Sequence, residues 1–239
     1  MIFALTFIQV FGSLMAQLLG MRTGALLTGF FGGLVSSTAT TASLARKNNT
    51  ESGAGDSRDM LTFLAATSAM LFEGIALVLI GTTDIHMSVL LIFLGPVFAT
   101  AIMIYMQSKK LTDRRLHSEN ISFRILPILR LSLFIIAVLL LSKLLQNIFG
   151  KSGLMVLTFL VSLFEIHGSI IANVQLHDGG TITANFLGVL LTISIVASCL
   201  SKLFLIVTLG SPHLRVQASR STFILFLSLL VSWLISSVI

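Results

Sequence analysis

Acidic side chains are scarce in this chain of 239 residues, nine against fifteen Lys and Arg, and two of them, Glu73 and Glu165, stand inside long apolar stretches. An acid in mid-span costs roughly 3 kcal/mol by insertion scales and is a functional hypothesis by default, the reading taken for Glu165, whereas Glu73 is read as structural. Glu165 is followed within four positions by His167 and Ser169. An acid, an imidazole and a hydroxyl can together bind a small cation or pass a proton. A second polar stretch, residues 36–43, reads Ser-Ser-Thr-Ala-Thr-Thr-Ala-Ser. Where a helix unwinds, such hydroxyls and the freed carbonyls can replace water around a cation.

Geometry constrains both stretches. On a regular helix Ser36, Thr40 and Ser43 continue the face of Gly29 and Gly33, with Ser37 in the same cluster. A plainer role for them is packing, with the glycines admitting a neighbouring helix and the hydroxyls bonding back to their own backbone. In the other stretch Ser162, Glu165 and Ser169 form one stripe, while His167 points about 160° away. Glu165 and His167 converge only if the helix is broken.

The elements that must hold these residues are written in the composition. Apolar residues make up 55% of the chain, charged residues 10%, and the mean hydropathy is +1.02. A soluble domain carries about 25% charged residues. This reads as an integral membrane protein and excludes a soluble enzyme, a disordered regulator and a disulfide scaffold. The net charge of +6 is spread over short linkers, where it reports topology instead of nucleic-acid binding. The single cysteine, Cys199, lies in an apolar run and builds no intrachain disulfide.

Apolar runs fall at about 2–20, 24–45, 60–82, 87–107, 125–149, 153–175, 185–210 and 222–239, each near the roughly 20 helical residues that a bilayer core requires. The expected fold is an all-α membrane bundle of about eight transmembrane helices. The first run, with no basic region before it, is expected to remain in the protein. With all eight runs crossing, one side collects Arg46, Lys47, Arg58, Lys109, Lys110, Arg114, Arg115, Arg124 and Arg130, and the other Arg22, Lys151, Arg215 and Arg220. Both termini are then expected in the cytoplasm of a prokaryotic inner membrane. One re-entrant run would invert everything after it.

An offset of about 129 residues keeps landmarks in register: Ser13 with Ser142, Gly24 with Gly153, Thr40 with Ser169, Gly81 with Gly210. Two four-helix repeats are expected, residues 1–107 and 125–239, joined by the basic linker 108–124. Ser36 then matches Glu165, and Glu73 matches Lys202. Opposite charges at repeat-related positions suggest a buried ion pair between Glu73 and Lys202. Four crossings per repeat make the halves parallel, whereas an inverted repeat requires one run per half to do something other than cross.

Signatures of metallopeptidases, serine hydrolases, phosphate-binding loops and dinucleotide folds are absent from the sequence. No enzyme, cofactor or nucleic-acid partner is expected.

Residues 24–47, Gly-Ala-Leu-Leu-Thr-Gly-Phe-Phe-Gly-Gly-Leu-Val-Ser-Ser-Thr-Ala-Thr-Thr-Ala-Ser-Leu-Ala-Arg-Lys, resemble the signature of an uncharacterised bacterial and archaeal membrane module usually found C-terminal to MgtC/SapB-type domains. Residues 122–143 look like its entry into a second half, and residues 160–172 occupy its second signature. There the family tends to read Gly-Leu-Val-Asp-x-Asp-Ala, where this chain has Ser162-Leu163-Phe164-Glu165-Ile166-His167-Gly168. Glu165 keeps an acid and His167 replaces the second one. The resemblance implies a transporter-like membrane protein with an MgtC/SapB-type domain as partner; independently of it, a second copy of the chain is the other partner expected.

Two functions lead, and a third, an intramembrane enzyme, would need Glu165 and His167 to converge through a broken helix. One is movement of a small cation or proton through a polar site where the second and sixth runs meet, lined by Ser36, Ser37, Thr40, Ser43, Glu165, His167 and Ser169. The other is a non-transporting module that binds a protein or lipid partner, its polar residues serving helix packing. Magnesium fits poorly, because one acid makes a weak cage for an ion that sheds water reluctantly.

Overall fold

The structure, a computed structural model, describes residues 21–50, 56–83, 87–110 and 150–238. The first and fifth apolar runs and most of the 108–124 linker lie outside them. Every element among the described residues is a helix: α1 Met21–Thr50, α2 Asp56–Gly81, α3 Met87–Ser108, α4 Gly150–Ser162, α5 Ile166–Asp178, α6 Ala184–Leu209 and α7 Pro212–Val238. Four of these, α2, α3, α6 and α7, are long and apolar enough to cross a membrane. Their outward faces, such as Phe98, Ile102, Phe223 and Leu230, are exposed and apolar, as suits contact with lipid.

Two compact units divide the chain. The first takes the start of α2, the end of α3, the end of α6 and the start of α7, together with α1. The second takes the end of α2, the start of α3, α4, α5, the start of α6 and the end of α7.

In the first unit, α1 is not a straight rod. Ser36 has extended torsions (φ −168°, ψ 102°), and its Oγ accepts a hydrogen bond from the Ala39 N–H at 3.2 Å. That is an N-cap in mid-run, which satisfies a donor the break would strand. The chain reverses there. A Cβ on Gly32 would stand 2.9 Å from Thr40 Oγ1, although residues eight apart on a straight helix are separated by about 12 Å. Before the break, Gly29 packs on Thr62 and Ala65, and Gly33 on Ala66 and Ala69, so this half runs parallel to α2. After it, Leu44 and Ala45 join Met60, Phe63 and Leu64 in one buried cluster. Asn48 Nδ2 then donates to Asp59 Oδ2 at 2.7 Å, so this half runs antiparallel to α2. The second apolar run is a helical hairpin laid on α2.

The sixth run does the same in the second unit. Residues 163–165 interrupt it, and Glu165 (φ −147°, ψ 101°) caps α5 by accepting the His167 N–H. Thr158 Oγ1 on α4 and Asn173 Oδ1 on α5 lie 3.3 Å apart, where a continuous helix would separate them by about 22 Å. Ser169 Oγ lies 3.3 Å from Ser194 Oγ on α6, and α5 turns into α6 after Asp178, so α5 and α6 are antiparallel. A Cβ on Gly81 of α2 would meet Val174, and one on Gly74 would meet Ile170, so α5 runs parallel to the end of α2.

These fold-backs correct two expectations. The sixth run is not one helix over 153–175, so Ser162, Glu165 and Ser169 do not share one regular stripe. Eight straight crossings are not supported, because the second and sixth runs each turn back on themselves. Hydropathy measures what a run avoids, not the path it takes, and a folded run within protein satisfies the same pattern.

Candidate functional site at the tip of the second hairpin

The break before α5 lets residues meet that an intact helix would hold apart. Glu165 Oε1 accepts the backbone N–H of His167 at 3.0 Å and lies 3.0 Å from the same residue's ring Nδ1. The expectation that His167 points away from Glu165 is therefore corrected. Its cause is the extended residue 165, which takes the acid off the helical wheel and turns it over the first turn of α5. On the other edge of the imidazole, Nε2 lies 3.0 Å from Oε2 of Glu73 on α2. The three side chains form a row, carboxylate, imidazole, carboxylate, with side-chain exposures of 28%, 14% and 12% for Glu73, His167 and Glu165.

The two contacts are not alike. Nδ1 and Glu165 Oε1 are aligned for a hydrogen bond. Nε2 and Glu73 Oε2 are at ion-pair distance but out of line, so both buried atoms lack a hydrogen-bond partner. Ser162 Oγ and Asn173 Nδ2, on the same hairpin, also lack one. A buried polar atom without a partner costs about 1–3 kcal/mol, and where several gather in a native interior a water or an ion is the usual remedy. The row carries two acids and one base. With both acids ionised, a protonated imidazole offsets one charge and leaves one negative charge for a proton or a cation to balance.

A resident metal is not indicated by this donor set. Among the described residues no group of three His, Cys, Asp or Glu side chains converges on one point.

Ser169 is buried on α5 against Ser194, whose own Oγ donates to Leu190 O at 2.9 Å. In the first unit, Ser37 is buried and its carbonyl accepts the Thr41 hydroxyl at 2.7 Å. Ser36 spends its side chain on the cap, Thr40 packs against Gly32, and Ser43 is exposed. Ser36, Ser37, Thr40 and Ser43 belong to the first unit, and Glu165, His167 and Ser169 to the second. For the pair expected between Glu73 and Lys202, the structure describes other partners. Glu73 faces His167, and Lys202, wholly buried on α6, places Nζ 2.7 Å from Met70 Sδ.

Glu73 as the partner of His167, and Thr158 with Asn173, escaped the sequence reading. A mid-run cap was the available signal: a Ser or an acid directly before a fresh helical turn, inside an apolar run, is a start signal out of place.

The family model for the domain of unknown function DUF4010 matches residues 4–210. The chain belongs to this family. No curated protein and no solved structure matches it. In this DUF4010 chain the match spans both hairpins and the whole Glu73, His167 and Glu165 row.

Proposed function

We propose that this protein moves protons, or a small monovalent cation, across a prokaryotic inner membrane, and that the Glu73, His167 and Glu165 row at the tip of the α4–α5 hairpin is where the cargo is held. The observation that carries this reading is the imidazole set between two carboxylates inside a membrane-type bundle. A protonated Glu73 can give its proton to Nε2 while Nδ1 gives its own to Glu165. Glu73 is left as the carboxylate, Glu165 as the acid, and the ring as the other neutral tautomer. Return of the ring to its first tautomer completes a cycle. Broken helices at the site of transport are a recurring device, because unwound backbone is tolerated where protein or water lines it.

The repeat belongs to the same reading. Shifted by 129, the bounds of α1 fall on those of α4 and α5 together, and those of α2 on α6, within one residue at each end. The extended Ser36 falls on the extended Glu165. Two related halves, each a hairpin followed by two long helices, account for that register.

A second reading, a module that binds a protein or lipid without transport, is favoured for the first hairpin by its packing. Gly29 and Gly33 sit against α2 backbone, and Thr41 bonds back to its own helix. A domain of MgtC/SapB type or a second copy would be its partner.

The test is flux through the purified protein in liposomes, read with a trapped pH dye under an imposed pH gradient and then with sodium or potassium gradients. Proton flux above that of empty liposomes, lost in His167→Ala, is the expected result. Flux equal to empty liposomes for every ion would overturn the proposal.

A further inference from the structure

The contacts at the helix ends sort them into two sets. At one set, Asn48 bonds Asp59 and accepts the Ser211 N–H at 3.1 Å, and Gln107 Nε2 lies 3.4 Å from Ser57 O and 3.5 Å from Gln217 Oε1. The ends of α1, α3 and α6 and the starts of α2 and α7 therefore lie together. At the other set, Asp178 Oδ1 accepts the N–H and the hydroxyl of Thr83, both at 2.8 Å, and Ser236 Oγ donates to Ser88 O at 2.7 Å. The ends of α2, α5 and α7 and the start of α3 lie together there. Helix by helix, α2 is antiparallel to α6, and α3 is antiparallel to α7. These are the pairs that the 129 offset relates.

Basic residues divide along the same line. Arg46, Arg58, Lys109, Lys110 and Arg215 are at the first set of ends, as is Arg22, because the opening half of α1 runs parallel to α2. At the second set, Lys151 is the one Lys or Arg among the described residues, with Nζ 5.5 Å from the ring of Phe186. Eight straight crossings divide the basic residues nine to four. The fold-backs move Arg22, Arg215 and Arg220 to the majority side and make the separation much sharper, which is what the positive-inside rule demands of a correct topology.

We infer that the two halves are inverted in the membrane, with the α1 hairpin entering from the cytoplasm and the α4–α5 hairpin entering from the opposite face. The Glu73, His167 and Glu165 row then belongs to the hairpin that opens away from the cytoplasm, and the C-terminus lies on that outer face. This replaces the expectation of a cytoplasmic C-terminus, which required the second and sixth runs to cross. The assignment of the row as the cargo site rests on the function proposed above, whereas the topology does not.

Cysteine labelling of the full chain in intact cells, in a Cys199→Ser background with a membrane-impermeant maleimide, separates the two arrangements. Thr181→Cys should label in intact cells, while Lys110→Cys and His213→Cys should label only after permeabilisation. Eight straight crossings require the reverse at both Thr181 and His213, and that pattern would overturn the inference. So would labelling of Lys110→Cys from outside. A C-terminal fusion supplies a readout free of any substitution: alkaline phosphatase should be active there and green fluorescent protein dark, and the opposite pair would contradict the arrangement. Neither readout depends on flux, so the topology can stand if the transport proposal falls.

Discussion

The two hairpins share a path and differ at their tips. Each turns back at an extended residue that caps the helix after it, Ser36 in one and Glu165 in the other. At Ser36 the surroundings are glycine, alanine and hydroxyls that bond to their own helix. At Glu165 the same turn presents an acid to an imidazole, with a second acid beyond it. A polar residue at a helix break is therefore not in itself a site. What separates scaffold from chemistry is whether the cap has capacity left after satisfying the backbone. A serine hydroxyl accepting one N–H is largely spent, whereas a carboxylate accepting one N–H still has a second oxygen and a charge.

The largest structural effect should come from the first hairpin. A Cβ at Gly33 would stand 2.6 Å from Ala66 Cα and 2.7 Å from its carbonyl oxygen. Backbone cannot yield there, so Gly33→Ala should destabilise the protein by about 1–3 kcal/mol, as overpacking does. Gly188→Ala is the control, since its Cβ would meet only the flexible Ile92 Cδ1 at 3.0 Å. Thermal unfolding in detergent should show a clear loss for the first and little for the second. Equal losses would remove the close approach of α1 to α2 as a stabilising feature.

Next in size is the cap. Ser36→Ala deletes the acceptor for the Ala39 N–H and should cost about 1 kcal/mol, whereas Ser36→Asp should retain most of the stability. If both substitutions are neutral by the same unfolding measurement, the break at residue 36 does not depend on its cap.

How much of this was legible beforehand follows from what each signal measures. The long runs became α2, α3 and α6 almost where the hydropathy placed them, because lipid demands an uninterrupted apolar segment of fixed length, whereas α7 begins ten residues before its run, at Pro212. Glu165 and His167 stood out because ionisable residues in such a segment are costly. Their meeting did not, since the helical wheel assumes the continuity that the cap at 165 destroys. Glu73 was noticed for its charge and matched to Lys202 by repeat position, yet His167 faces it, a contact fixed by where α5 lies along α2 and not by any spacing in the sequence.

The smallest effect is at the edge of the second unit. The Thr83 backbone N–H, and after it the Thr83 hydroxyl, hold the exposed Asp178 carboxyl below its ordinary range. A depressed acid contributes stability above its unfolded pKa and loses it as pH falls through the folded value. Acid unfolding of Thr83→Val should begin at slightly higher pH than that of the parent, and coincident curves would show that this contact ties nothing down.

The central claim is that the second tip holds cargo while the first holds the fold. It is tested most directly by proton flux in liposomes for Glu165→Gln and Ser36→Ala, each normalised to the amount of folded protein. Gln keeps an oxygen to accept the His167 N–H, so the cap and the fold should survive in Glu165→Gln. Flux should nevertheless fall at least about tenfold, because the amide can neither take up nor release the proton. Ser36→Ala should keep its flux and lose stability. Undiminished flux in Glu165→Gln, or an equal loss of flux in both, would contradict the account.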